Sequence, residues 1–201
     1  IETERIRGLL DWEHDGVNGH WRRRTVVWDG PGATAQLGNV EPRWGRGLVI
    51  GRRSRVITSN DLDGTLTQPI RSRFNGAWIA SDNKRFVSAD LLVSDIRSDN
   101  LADRVAAVNI TARKRDMRAG VSALTGEIER QDTSLTQIFR IAGGYLRLGR
   151  TQREILGEIA VDEDGNTGKA AEAVLRTKRT TVHARAWHYS DRFINPWGGG
   201  P

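Results

Sequence analysis

The 201 residues contain no cysteine, which excludes disulfide stapling, thiolate metal sites and cysteine nucleophiles. Lysine is almost as scarce. Of 31 basic residues only Lys84, Lys114, Lys169 and Lys178 are lysines; the rest are arginine, whose planar fork pairs bidentately with carboxylates and phosphates. No stretch approaches the roughly 20 consecutive apolar residues of a membrane-spanning helix, and Ile1-Glu2-Thr3-Glu4-Arg5 is not a secretory leader. On these grounds the chain reads as soluble, with no membrane span. Walker and dinucleotide glycine loops and Gly-x-Ser-x-Gly are also missing, so catalysis by those routes is unsupported.

What is present begins with tryptophan and arginine. Four of the seven Trp (Trp12, Trp21, Trp28, Trp44) fall in residues 1–58, among scattered Gly and Pro. The alternation from Trp21 to Trp28 and in Leu48-Val49-Ile50 predicts short strands. Further strands are expected at 55–58, 74–79 and 85–87, with turns at 60–64, Asn75-Gly76 and 81–83. The net charge of +6 and pI near 10.4 raise a polyanionic partner. Charge is spread along the chain rather than gathered into a basic arm, so nucleic acid is a possible partner but not the favoured one.

From Ala89 the pattern changes. Val121, Leu124, Ile128, Leu135, Ile138, Ala142, Tyr145, Leu156 and Ile159 recur at mostly three- and four-residue steps, the spacing of a heptad seam. Gln131, Gly149 and Gln152 interrupt it, and Gly143-Gly144 would loosen a helix. The alternative is an amphipathic helix pair within one domain. The expected fold class is therefore α+β, with short-stranded β regions flanking a long, coiled-coil-like helical segment. Three regions follow: a β-rich, Trp-containing region at 1–88, a helical oligomerisation segment at 89–160, and a mixed C-terminal region at 161–201 with a Gly/Pro-rich tail. In the last, 162–166 is a strong turn, 169–178 a helix or loop, and 180–187 a strand.

The run Asp61-Leu62-Asp63-Gly64-Thr65-Leu66-Thr67 resembles the first motif of haloacid-dehalogenase-type phosphatases. The resemblance implies Asp61 as nucleophile, Asp63 as handler of the leaving-group proton, and Mg²⁺ between them. Thr111 would be the phosphate-binding hydroxyl, with Asp162 and Asp164 as late metal-binding acids. Against it, residues 52–60 are polar rather than a buried strand, and no Lys lies between Lys114 and Lys169. The competing reading is a polar turn. Neither acidic turn is an EF-hand, since Ile70 and Ala171 stand where the bidentate Glu belongs. His14 and His20, and His183 and His188, lack the spacing that places two imidazoles on one helix face.

In layout, β modules alternating with coiled-coil segments, the chain resembles bacteriophage tail-fibre and other virion proteins. The resemblance implies a structural, non-enzymatic protein without a cofactor or metal: a homo-oligomer, a trimer by preference, docking to other virion proteins. Val121, Leu124, Ile128, Leu135, Ile138 and Tyr145 would form the oligomer interface. The location implied is the virion, or otherwise the cytoplasm. A nucleic-acid-binding protein and the Mg²⁺-dependent phosphatase are the alternatives.

Overall fold

The computed structural model describes residues 4–14, 19–40, 42, 44–45, 47–50, 74–81, 86–98, 101–130, 135–150 and 152–197. Every regular element among them is a strand: β1 (Arg5–His14), β2 (Gly19–Gly30), β3 (Ala33–Val40), β4 (Phe74–Ser81), β5 (Val87–Ser98), β6 (Leu101–Lys114), β7 (Met117–Arg130), β8 (Leu135–Arg150), β9 (Arg153–Asp162), β10 (Thr167–Arg176) and β11 (Thr181–Tyr189). They form one sheet in sequence order, each strand antiparallel to the next.

The expected α+β class with a coiled-coil segment is thus overturned. The described residues of 89–160 lie in β5 to β9 and their turns, and the sheet runs without a break across both 88–89 and 160–161. The physical reason lies in a second periodicity within the same residues. From Met117 to Thr125 every odd position is Met, Ala, Val, Ala or Thr, and the even positions are Arg118, Gly120, Ser122 and Leu124. That is the period of two of a strand with one apolar face. A heptad seam takes alternate steps of three and four; here the three-residue step from Val121 to Leu124 crosses from one face of β7 to the other.

Other local expectations change as well. Gly143-Gly144 lies inside β8 and Asn75-Gly76 inside β4, neither as a break. Residues 169–178, expected as helix or loop, lie largely in β10, and Leu48-Val49-Ile50 forms bends rather than a strand. β2, β4 and β11 cover the strands expected at 21–28, 74–79 and 180–187, and the turn at 162–166 joins β9 to β10. The expected strand at 55–58 and turn at 60–64 lie outside the described residues.

The core sits on one side of the sheet. Leu92, Val105, Ala107, Leu124, Phe139, Ile141 and Ala160 point to that side, and residues 44–45 and 47–50 and the tail at 193–197 lie over them. Glu158 clamps the first of these segments by accepting the backbone N–H groups of Gly47 (3.1 Å) and Leu48 (2.8 Å). Asn195 ties the two covering segments together, its Nδ2 donating to the carbonyls of Leu48 and Val49. Trp197 is buried, donates its indole N–H to Asp103 (2.9 Å) and meets Phe139 edge-on.

Glycine allows these approaches. A Cβ on Gly126 would stand 2.5 Å from the Trp197 ring, and one on Gly143 would stand 2.5 Å from Val49.

Candidate functional site

The two faces of the sheet differ in chemistry. Strand register assigns Leu91, Val93, Ala106, Val108, Ile110, Val121, Ala123, Ala142, Leu146, Ile155 and Ile159 to the face opposite the covered one. No described segment lies over it. Twenty-two large apolar side chains are exposed among the described residues, and nineteen of them belong to this open face; the exceptions are Phe86, Trp187 and Ile194. So regular a segregation is a property of the whole sheet rather than scattered surface apolarity.

On β6, β8 and β9 the charges of the open face stand toward its rims. On β6, Arg104 and Lys114 bracket Ala106, Val108, Ile110 and Ala112. On β8, Arg140 and Arg150 bracket Ala142, Gly144, Leu146 and Leu148, and around β9, Arg153 and Glu163 bracket Ile155, Gly157, Ile159 and Val161. Each bracket spans ten residues. At about 3.4 Å per residue that is about 34 Å along the strand, or about 26 Å for a strand tilted by 35–45°.

Ion pairs gather at the same rims. Arg104 pairs with Glu127 and lies 3.9 Å from both Asp95 and Glu129, Arg140 pairs with Glu163 (3.3 Å), and Arg150 pairs with Asp116 at the opposite rim (2.7 Å). On β10 the exception is Lys169, which faces Ile159 in register and so lies within the apolar band. A shallow groove of about 560 Å³ crosses the middle of the open face, where the small side chains Ala106, Ala123 and Ala142 meet Leu91, Val108 and Val161.

The covered face carries polar groups beneath its plug. Thr25, Ser94, Asn109, Thr111, Ser122 and Glu158 are buried there. Asn109 Nδ2 donates to Asp90 (2.8 Å) and to Thr111 Oγ1 (3.0 Å), and Thr111 shares a 2.7 Å hydrogen bond with the Tyr145 hydroxyl. Burial pushes the Asp90 carboxyl above the usual carboxylate range, against the lowering effect of the Asn109 bond. The carbonyl oxygen of Asn109 and the indole N–H groups of Trp44 and Trp78 are buried without a hydrogen-bond partner. Trp78, Asp90, Thr111 and Arg113 help line a cavity of about 280 Å³. Toward the rim, Arg113 and Arg118 stand near one another, and burial followed by that repulsion lowers the Arg118 pKa.

The residues expected to form one helical interface are divided between the two faces. Val121 (61 % exposed) and Ile138 (53 % exposed) are on the open face, whereas Leu124 is buried and Ile128 packs against the core on the other. Tyr145 is half-buried on the covered face, and Leu135 opens β8. With no helix among the described residues, the coiled-coil seam that was to join them does not form.

The phosphatase-like constellation is not assembled either. Asp61 and Asp63 lie outside the described residues, and Thr111 is in the middle of the sheet. Asp162 is occupied by its own turn, accepting the backbone N–H groups of Asp164 (3.1 Å) and Asn166 (2.8 Å). His183 and His188 lie on β11, with His183 3.5 Å from Glu172. Among the described residues no cluster of His, Asp and Glu could hold a metal ion, and no helix is long and apolar enough to cross a membrane. That helical criterion does not bear on strands.

Sequence reasoning missed the open face because its apolar residues, every second one and often alanine, are interleaved with those of the covered core, as in Val105-Ala106-Ala107-Val108. The signal available was the period of two bounded by charges ten residues apart. Compared with protein-family models, curated proteins and solved structures, the chain gives no match.

Proposed function

We propose that this chain forms part of the wall of a transmembrane β-barrel, with the open face against lipid acyl chains and the covered face toward a plugged interior. The observation that carries the reading is the apolar band of the open face, bounded on β6, β8 and β9 by charges ten residues apart, about 34 Å along the strand, which would become about 26 Å of height at the 35–45° tilt of such a barrel. Barrels of the outer-membrane type present an outward apolar band of about 25 Å on strands that alternate apolar and polar residues. Strands of 10–16 residues from β5 to β10 meet the 9–11 residues such a crossing requires.

Area supports the same conclusion. The apolar runs of β5 to β9, five strands at about 4.8 Å spacing with about 20 Å each, present roughly 480 Å², and the shorter runs on the other strands extend the patch beyond the few hundred that soluble monomers usually expose. The polar groups on the other face fit a barrel interior, where segments of chain commonly fill the lumen. Residues 44–45, 47–50 and 193–197, which pack on the covered face, would fill it here, so the described part of the wall serves as a plugged scaffold and not as a wide aqueous channel. The virion reading rested on a coiled-coil segment, and with that segment in strands it retains no observation of its own.

The test is reconstitution with phospholipid vesicles, followed by density flotation and extraction with alkaline carbonate. The reading predicts that the chain floats with the lipid and resists extraction. A chain that stays in the aqueous fraction as a monodisperse species contradicts it.

A further inference from the structure

Resting on the membrane reading, we infer that the rim built from the β6–β7, β8–β9 and β10–β11 connections is a docking surface for the phosphate headgroups of anionic phospholipid. Alternate connections of an antiparallel sheet fall at the same end of its strands, so these three lie side by side at one rim. Residues 113–118, 147–154 and 175–181 carry ten Arg and Lys against two acids. The opposite rim of this part of the sheet is the reverse. There, residues 95–104, 127–137 and 160–169 carry nine acids against four basic residues.

Ion pairing does not cancel the excess. Asp116 pairs with Arg150 and Glu154 with Arg147, which uses both acids of the basic rim. Its other eight basic side chains have no ion-pair partner among the described residues. Arg113, Arg118 and Arg147 are successive cross-strand neighbours on the covered face. Their charges repel one another and raise the positive potential of the rim. At the acidic rim, by contrast, Arg104 and Arg140 are both paired.

What singles out phospholipid among polyanions is the apolar band that begins at this rim. On the open face Lys114, Arg150 and Arg153 end the apolar runs of β6, β8 and β9, and Arg115, Lys178 and Arg179 stand in the connections beyond them. Long basic side chains at the edge of an apolar surface lay their stems along it and hold their charges at headgroup level. A nucleic acid offers phosphates and nothing for the band, whereas a phospholipid offers partners for both.

Density flotation of the folded chain tests this with two kinds of vesicle, phosphatidylcholine alone and phosphatidylcholine with an equal amount of phosphatidylglycerol. Each basic residue near an anionic surface is worth about fivefold in association. Arg115→Gln, Lys178→Gln and Arg179→Gln together remove three charges that make no ion pair among the described residues. The expected result is a rise on the order of 100-fold in the concentration of anionic vesicles that floats half the chain. A matched triple at and beyond the opposite rim, Arg104→Gln, Arg140→Gln and Arg192→Gln, is expected to leave the anionic preference in place. Added salt is expected to erode that preference in the unaltered chain. No anionic preference in the unaltered chain, or equal losses in the two triples, overturns the inference, as does release from the vesicles by a duplex oligonucleotide at equal phosphate concentration. A chain that floats with phosphatidylcholine and resists alkaline carbonate, yet shows no anionic preference, keeps the membrane reading and loses this one. A chain that floats only with the anionic vesicles and is stripped by carbonate keeps the basic rim and loses the transmembrane reading, and one that floats with neither loses both.

Discussion

Glu158 shows how single side chains hold the plug against the sheet. It is buried and accepts two backbone N–H groups from the covering segment. Glu158→Ala leaves both donors without that acceptor, a cost of about 2–4 kcal/mol. The loss is expected as a lower denaturation midpoint together with faster proteolysis at Gly47 and Leu48. Asp90 makes a pH-dependent contribution of the opposite sense to the usual carboxylate. Because burial raises its folded-state pKa, the folded chain keeps a proton over a window in which the unfolded chain has released it. Stability from this group is greatest below the ordinary carboxylate value and falls as pH rises through the folded value. Asp90→Asn, which retains an acceptor for Asn109, is therefore expected to raise the midpoint at neutral pH and flatten its dependence above pH 4, as read by denaturant titration across pH. Neither role was legible from sequence, where Glu158 is one acid among 25 and Asp90 one polar residue in an apparent helix.

At the scale of elements, β7 shows what could be read and what could not. Its residues read as an ordered, apolar-patterned segment, but the pattern admits two periods, and alanine and glycine at four of the fourteen positions blur the choice. Hairpin punctuation would have decided it. The β6–β7 turn is Arg115-Asp116, with Arg115 at φ 53° in the left-handed region that glycine or asparagine usually fills. The β8–β9 connection at 151–152 likewise lacks Gly, Pro and Asn. Where turn residues are conventional, as at Asp162-Glu163-Asp164-Gly165-Asn166, the turn was legible. The membrane reading makes a depth-dependent prediction for β7. Val121, in the middle of its apolar run, becomes destabilising by about 2–4 kcal/mol as Val121→Arg, whereas Met117→Arg at the rim costs about 0–1 kcal/mol. Refolding titrations in phospholipid vesicles measure both; equal costs at the two positions contradict the assignment.

At the scale of the whole molecule, the two faces explain features that are puzzling separately. A mean hydropathy of −0.53 and 28 % charged residues suit a chain whose charged residues lie chiefly at strand ends and turns, while apolar residues serve both the open face and the covered core. Arginine and acid collect at the rims and beneath the plug. The absence of long apolar runs, taken from sequence as evidence against a membrane span, follows from the same arrangement, since a strand needs only every second residue to be apolar.

The most direct test is a spin-label scan of β7 in bilayers, using single cysteines at each position from Met117 to Glu127 in the cysteine-free background. The account predicts a period of two: labels at 119, 121, 123 and 125 relax with dissolved oxygen and not with a water-soluble nickel chelate, deepest at 121, while those at 120, 122, 124 and 126 are shielded from oxygen by the plugged face. A period near 3.6, or nickel access at 121 and 123 equal to that at the 115–116 turn, would contradict it.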